Sequence, residues 1–164
     1  MLKKIIAAAA LATIAASSYA GTPGSYYAGA DVGSTKINAF DDTSTSYGAF
    51  VGYNFTENFA VEGGYRRLFS YTGYNFDRNT DQTALSAIAS LPLSNGFRVY
   101  GRLGANRLAE KTSVVGYDHK YDETKVLYGV GASYDFGNKL SGRLEVQKPS
   151  GGLTNLSAGV SYSF

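Results

Sequence analysis

Over the last nine residues, every second position is apolar or aromatic: Leu156, Ala158, Val160, Tyr162 and Phe164. Ser157, Gly159, Ser161 and Ser163 stand between them. A period of two marks a strand whose faces meet unlike surroundings. The same alternation recurs in "GAFVGYNFTENFAVEGGY", "SAIASLPLSNGFRVYGRLG" and "VGASYDFGNKLSGRLEV". In each, two alternating runs flank a short turn containing Asn, which predicts a β-hairpin. The turns fall at Asn54 to Asn58, Ser94 to Gly96 and Gly137 to Lys139. Longer polar stretches link the hairpins and predict loops: Ile37 to Ser46, Ser70 to Gln82, Ala109 to Lys125, and Pro149 to Asn155. With Tyr26 to Lys36 and the terminal run, the expectation is eight strands, short turns on one side and long loops on the other.

That sorting favours a membrane barrel, with short turns at one end, longer loops at the other and strands of about 9–11 residues. The predicted strands also exceed the globular mode of about 5–6 residues. One parity collects Ala28, Val32, Val51, Val61, Leu85, Leu103, Val130 and Leu144. The other carries Asp31, Glu62, Arg66, Arg98, Arg102, Arg143 and Glu145 among Gly and Ser. Parity alone leaves open an inverted, soluble barrel with its apolar side chains inside. The aromatics weigh against that inversion. Tyr26, Tyr53, Phe55, Phe59, Phe97, Tyr134, Phe136, Tyr162 and Phe164 gather towards the short turns. Tyr47, Tyr65, Phe69 and Tyr128 lie towards the loops, with Ala, Val, Leu and Gly between the two groups. Two aromatic girdles around an aliphatic band suit a barrel facing lipid. The expected fold is therefore all-β, an eight-stranded antiparallel up-and-down transmembrane β-barrel.

The N-terminus adds a destination. "MLKKIIAAAALATIAASSYA" has two lysines, an apolar run and Ser18-Tyr19-Ala20, the layout of a secretory signal peptide. The run falls short of the roughly 20 residues a membrane helix needs. Residues 1–20 are expected to be cleaved, leaving the barrel as residues 21–164. Lys3 and Lys4 leave with the leader, so the excess of 15 basic over 13 acidic side chains disappears. Net charge then gives no ground for nucleic acid binding. There is no cysteine, so no disulfide framework supports the fold.

The segments "YYAGADVG", "FAVEGGY", "VYGRLGA", "SGRLEVQ" and the terminal "GVSYSF" resemble the OmpA-type, OmpX-like eight-stranded outer-membrane barrels. The resemblance spans essentially the whole of residues 21–164. It implies the bacterial outer membrane, with long loops extracellular and both termini periplasmic. It also implies that Tyr162 and Phe164 belong to the signal read by the outer-membrane assembly machinery. The family carries an internal Glu and Arg network, which Glu62 and Arg143 match. Ser133 and Ile88 depart from it, standing where the family tends to place Glu and Lys. OmpA carries a periplasmic peptidoglycan-binding domain, but no such domain is expected in this chain.

Parity and height predict a lumen network in which Asp31, Glu62 and Glu145 pair with Arg102 and Arg143. Arg66 and Arg98 are expected nearer the two mouths. Such charges either satisfy one another as a plug or line a narrow ion path. Lys36, Arg67, Arg107 and Lys148 have lipid-facing parity at the loop ends of their strands. They are expected at headgroup level, contacting lipopolysaccharide phosphates or marking the hydrocarbon boundary. The loop aromatics Tyr71, Tyr74, Phe76, Tyr117 and Tyr121 suit contact with host or neighbouring surface molecules. His119 is the single histidine, in the longest predicted loop, and Tyr121 stands where a His-x-Ser pair would need its serine. The chain is not expected to be an enzyme or to hold a cofactor or metal. The expected function is a structural, surface-exposed outer-membrane barrel supporting envelope integrity. A low-conductance pore is the alternative, and a lipid A-modifying enzyme stands behind it.

Overall fold

The computed structural model describes residues 22–37, 42–73, 76–114 and 117–164. Eight strands follow in order: β1 (Tyr26–Ile37), β2 (Asp42–Asn54), β3 (Phe59–Gly73), β4 (Phe76–Pro92), β5 (Phe97–Val114), β6 (Tyr117–Gly137), β7 (Leu140–Ser150) and β8 (Leu153–Ser163). Each pairs antiparallel with its sequence neighbour, and β8 returns to β1 to close the barrel. Closure runs through Tyr27 opposite Ser163 to Ile37 opposite Leu153. The Phe164 N–H donates to the Tyr26 carbonyl at 2.9 Å. The terminal run thus removes the open edges that hydrocarbon could not satisfy.

The alternation resolves as the lipid-facing reading requires. Val51, Leu103 and Val130 are 62%, 63% and 66% exposed on the outer wall. Asp31, Glu62, Arg102 and Glu145 are buried inside it. The inverted soluble barrel is thereby excluded. At the end holding the short turns, Phe97 packs at a tilt against Tyr134, and Tyr134 edge-to-face against Phe136, with centroids 4.6 and 5.3 Å apart. Tyr26, Tyr53 and Phe55 form a similar run at 4.8 and 4.9 Å. Tyr47, Tyr65 and Tyr128 stand exposed towards the other end. The two girdles flank a band of aliphatic side chains, as interfacial rings do.

The turns near Asn95 and Gly137 lie where predicted, and Asn95, Asn138 and Lys139 adopt positive φ. The loops do not. Ser70 to Gln82 and Ala109 to Lys125 are mostly strand, paired up to Gly73 opposite Phe76 and Val114 opposite Tyr117. β7 and β8 likewise extend to Ser150 and Leu153. These stretches carry polar residues at both parities, so the two-residue polarity pattern fades while the pairing continues. The two ends therefore differ in hairpin reach rather than loop length. Pairing of β2 with β3 stops at Tyr47 opposite Arg67, and that of β6 with β7 at Tyr128 opposite Lys148. Beyond those points β3, β4, β5 and β6 continue as a four-stranded wall on one side of the rim. Residues 117–127 of β6 alone add about 36 Å of strand. Tyr71, Tyr117 and Tyr121 lie in this wall, and Phe76 begins β4. Tyr74 lies outside the described residues, as does the expected signal peptide.

Inside, aromatic rings occupy space that glycines leave. A Cβ at Gly52 would collide with the Tyr27 ring, and one at Gly131 with the Tyr100 ring. The close approach at these two positions explains why small residues sit there.

Candidate functional site in the charged lumen

At mid-height, inward-facing positions on four strands converge on one ion cluster. Asp31 comes from β1, Glu62 and Arg66 from β3, Arg102 from β5, and Arg143 and Glu145 from β7. Side-chain alternation puts all six inside because each shares the inward parity of its strand. Arg102 spans two carboxylates. Its Nη2 lies 2.6 Å from Glu62 Oε1, and its Nε 2.9 Å from Glu145 Oε1. Arg143 Nη1 donates to Glu62 Oε2 at 2.7 Å. Its Nη2 lies 3.4 Å from Asp31 Oδ2. Two phenols complete the carboxylate shells. Tyr27 donates to Glu62 at 3.0 Å and Tyr100 to Glu145 at 2.8 Å. The Arg143 guanidinium also lies over the Phe50 ring, 3.3 Å from its centroid, a geometry that favours the cation.

The five residues expected to meet do meet. Arg66, expected near a mouth, joins them by gripping Asp31 with Nε at 3.0 Å and Nη2 at 2.7 Å. The cluster therefore holds three carboxylates and three guanidiniums, and is formally neutral. Arg66 carried the same parity as the others, so that parity was the usable signal. The roles of Tyr27, Tyr100 and Phe50 had none, because an aromatic of inward parity looks like any core residue.

The lumen differs on the two sides of this cluster. Towards the wall end it is packed. Arg66 Nη1 donates to Asn155, whose amide donates in turn to Thr35 and Ser46 at 2.9 and 2.7 Å. Leu68, Leu108 and Leu127 are buried in the same half, as are Gln82, Asn106 and Gln147. Leu68 occupies an irregularity between Arg67 and Phe69 in the pairing of β3 with β4, the kind of feature that re-aims a side chain. Towards the short-turn end lies a cavity of about 310 Å³, lined by Arg98, Arg143, Asp135 and several serines. Arg98 sits towards that mouth, as expected.

The four rim cations take the outer face near the wall end. Arg67 Nε lies 2.9 Å from Asp81, and Arg107 Nη2 lies 2.6 Å from Asp122. Lys36 is exposed and Lys148 half-buried. Lys36 lies opposite Thr154 on β8, and Lys148 faces Tyr128 on β6. Only β8 separates the two lysine-bearing strands. At the other end, Tyr162 and Phe164 point outward with ring centroids 5.6 Å apart. His119 lies within β6 opposite Thr112 rather than in a loop.

The family model for an outer membrane protein beta-barrel domain matches residues 6–164. No curated protein matches the chain in sequence. Among solved structures it is similar to Neisserial surface protein A, at 20% identity and a TM-score of 0.69 over 85% of this chain and 97% of that one. It is also similar to the N-terminal barrel of Pseudomonas aeruginosa OprF, at 17% identity and a TM-score of 0.65 over 86% and 99%. The attachment invasion locus protein of Yersinia pestis, in complex with the heparin analogue sucrose octasulfate, matches at 18% identity and 0.63 over 87% and 100%. At these identities the likeness is one of fold.

Proposed function

Because the chain belongs to the outer membrane protein β-barrel domain family, we propose that it is a structural, surface-exposed outer-membrane barrel that supports the envelope and contacts host or neighbouring molecules through its β3–β6 wall. In this reading the wall faces the exterior and both termini face the periplasm. The observation that carries it is the wall itself. β6 runs from Tyr117 to Tyr128 before β7 joins it, and β3 continues from Arg67 to Gly73 after β2 has left it. Backbone donors and acceptors on such edges accept an added strand, and Tyr71, Tyr117 and Tyr121 sit on a paired scaffold beside them. The heparin analogue held by the Yersinia neighbour is consistent with host contact by barrels of this shape.

The lumen supports a structural role over a conducting one. A path would have to pass the neutral ion cluster and then the packed half holding Leu68, Leu108 and Leu127. Lipopolysaccharide contact belongs to the collar. Its cations Lys36, Arg67, Arg107 and Lys148 stand on the outer face at the height where phosphates would lie. Cells expressing the full chain would be compared with cells whose residues 70–80 and 111–122 are replaced by short turns. The heat-dependent gel shift of each barrel would confirm folding. Loss of attachment to host cells or matrix with the shortened wall supports the reading, whereas unchanged attachment refutes it. Steady channel events in planar bilayers would favour the pore instead.

A further inference from the structure

The cavity at the short-turn end has no part in the function proposed above. It is open at that mouth and floored by the ion cluster. Its volume of about 310 Å³ is room for about ten waters and lies at the small end of ligand pockets. Its two sides differ chemically. On the β3–β5 side stand Ala60, Ile88 and Tyr100, a buried apolar cluster with Tyr27 packed against it. On the β6–β8 side stand Ser133, Ser141, Ser161 and Ser163, which also line the space. Apolar side chains predominate on the first side, where Ser90 and Arg98 also line the space, and hydroxyls on the second.

Charge adds a third element. The floor is neutral, since its three carboxylates and three guanidiniums satisfy one another. Beyond the floor, the charged side chains lining the cavity are Arg98, Lys139 and Asp135. Asp135 Oδ1 already accepts the Gly137 N–H at 2.8 Å, which ties it to the β6–β7 turn. Among these lining side chains two cations stand against one carboxylate; Lys139 is exposed and Arg98 half-buried, and a charge-assisted contact is stronger at the less exposed of the two.

We propose that this cavity binds a monosaccharide-sized sugar acid. The C–H face of the ring would lie on the Ile88 and Tyr100 side. Its hydroxyls would meet the serines, and its carboxylate would meet Arg98 and Lys139. A neutral sugar satisfies two of these elements, and a simple carboxylate only one.

The test uses the full barrel refolded in detergent micelles, with glucuronate as probe and glucose and acetate as comparators. Amide chemical shifts of the lining residues are followed by NMR. Glucuronate should give saturable shifts at Ser133 and Ser161, with glucose and acetate each at least about tenfold weaker, the worth of one charge-assisted contact. Arg98→Gln combined with Lys139→Gln should erase the preference for glucuronate over glucose. Ser161→Phe, which fills the cavity from the hydroxyl side, should abolish both. Should that variant fail to fold, coupling a bulky maleimide to Ser161→Cys in the folded protein gives the same block. Absence of saturable shifts, equal affinity for glucose and glucuronate, or a preference that survives the double substitution would overturn the proposal.

Discussion

Glu62→Ala is the sharpest test of the lumen. Glu62 is 2% exposed and takes a guanidinium on each oxygen, Arg102 at 2.6 Å and Arg143 at 2.7 Å, with the Tyr27 hydroxyl at 3.0 Å. Its removal leaves Arg102 with Glu145, and leaves Arg143 with Asp31 at 3.4 Å as its remaining carboxylate. Stripping one partner from a dry buried pair costs about 3–5 kcal/mol, because a charge is left uncompensated. Asp81→Ala is the matched control. It strips Arg67, in a pair whose side chains are 34% and 14% exposed, and pairs that solvent reaches are worth about 0.2–1 kcal/mol. With a urea slope of about 2 kcal/mol per molar, Glu62→Ala should lower the unfolding midpoint by about 1.5–2.5 M. Asp81→Ala should lower it by about 0.5 M or less. The assay is reversible urea unfolding in lipid vesicles followed by far-UV circular dichroism, since the chain has no tryptophan. A second arm combines Glu62→Ala with Arg143→Ala, which removes both members of one pair. If the pair is dry, the double variant should be less destabilised than the sum of the singles. Equal midpoints for Glu62→Ala and Asp81→Ala would mean that water reaches mid-height and screens the cluster, refuting the plug.

Further outcomes follow from the geometry. The chain has no cysteine, so Ser161→Cys and Ser157→Cys can be compared cleanly on inward positions of one strand. A polar maleimide should label Ser161→Cys quickly from the short-turn mouth and Ser157→Cys far more slowly, Ser157 being buried; equal rates would contradict the packed half. Gly131→Ala places a Cβ 2.6 Å from the Leu144 carbonyl oxygen and against the Tyr100 ring, whereas Gly101→Ala meets nothing within 4 Å. The first should cost about 1–3 kcal/mol in the same unfolding assay, and the second less than about 0.5. Phe164→Ser should reduce the folded, heat-modifiable population in cells several-fold while leaving refolding into detergent intact. A matching loss in detergent would assign Phe164 to stability rather than to assembly.

The parts of this molecule legible in its sequence are those fixed by alternation. Inside and outside follow from it because a strand has only two faces, and one of them must match hydrocarbon. Val51, Leu103 and Val130 were therefore readable, as were the inward Glu62 and Arg143. The wall was not. Between Ser70 and Gln82 the sequence does not alternate although the backbone pairs throughout, so the stretch looks like a loop. Partner choice within the lumen was also hidden. Arg66 and Asp31 lie on strands that are not hydrogen-bonded neighbours, and a guanidinium reaches several residue levels along the axis. Parity fixes which side chains enter the lumen, and side-chain length then decides which of them meet. The pairing of Arg67 with Asp81 was hidden for a related reason, since the two stand opposite each other only once the register is known.

The contrast between the two halves of the lumen bears on what the open half admits. Eight strands fix a radius that side chains can just fill, so local occupancy depends on side-chain volume at inward positions. Towards the wall these are Arg, Gln, Asn and Leu, and the space closes. Towards the short turns Ser90, Ser133, Ser141, Ser161 and Ser163 stand among the larger Tyr27, Ile88, Arg98 and Tyr100, and about 310 Å³ stays open. A dry void of that size would cost about 7 kcal/mol at about 24 cal/mol per Å³, a large share of a typical fold's stability. Serine hydroxyls and the charges at the mouth lower that cost by letting water occupy the space, as polar cavities do. Envelope support alone requires a closed barrel, and larger residues at Ser133 or Ser161 would supply one without the void. The open half is therefore explained better by something it admits than by the needs of the fold.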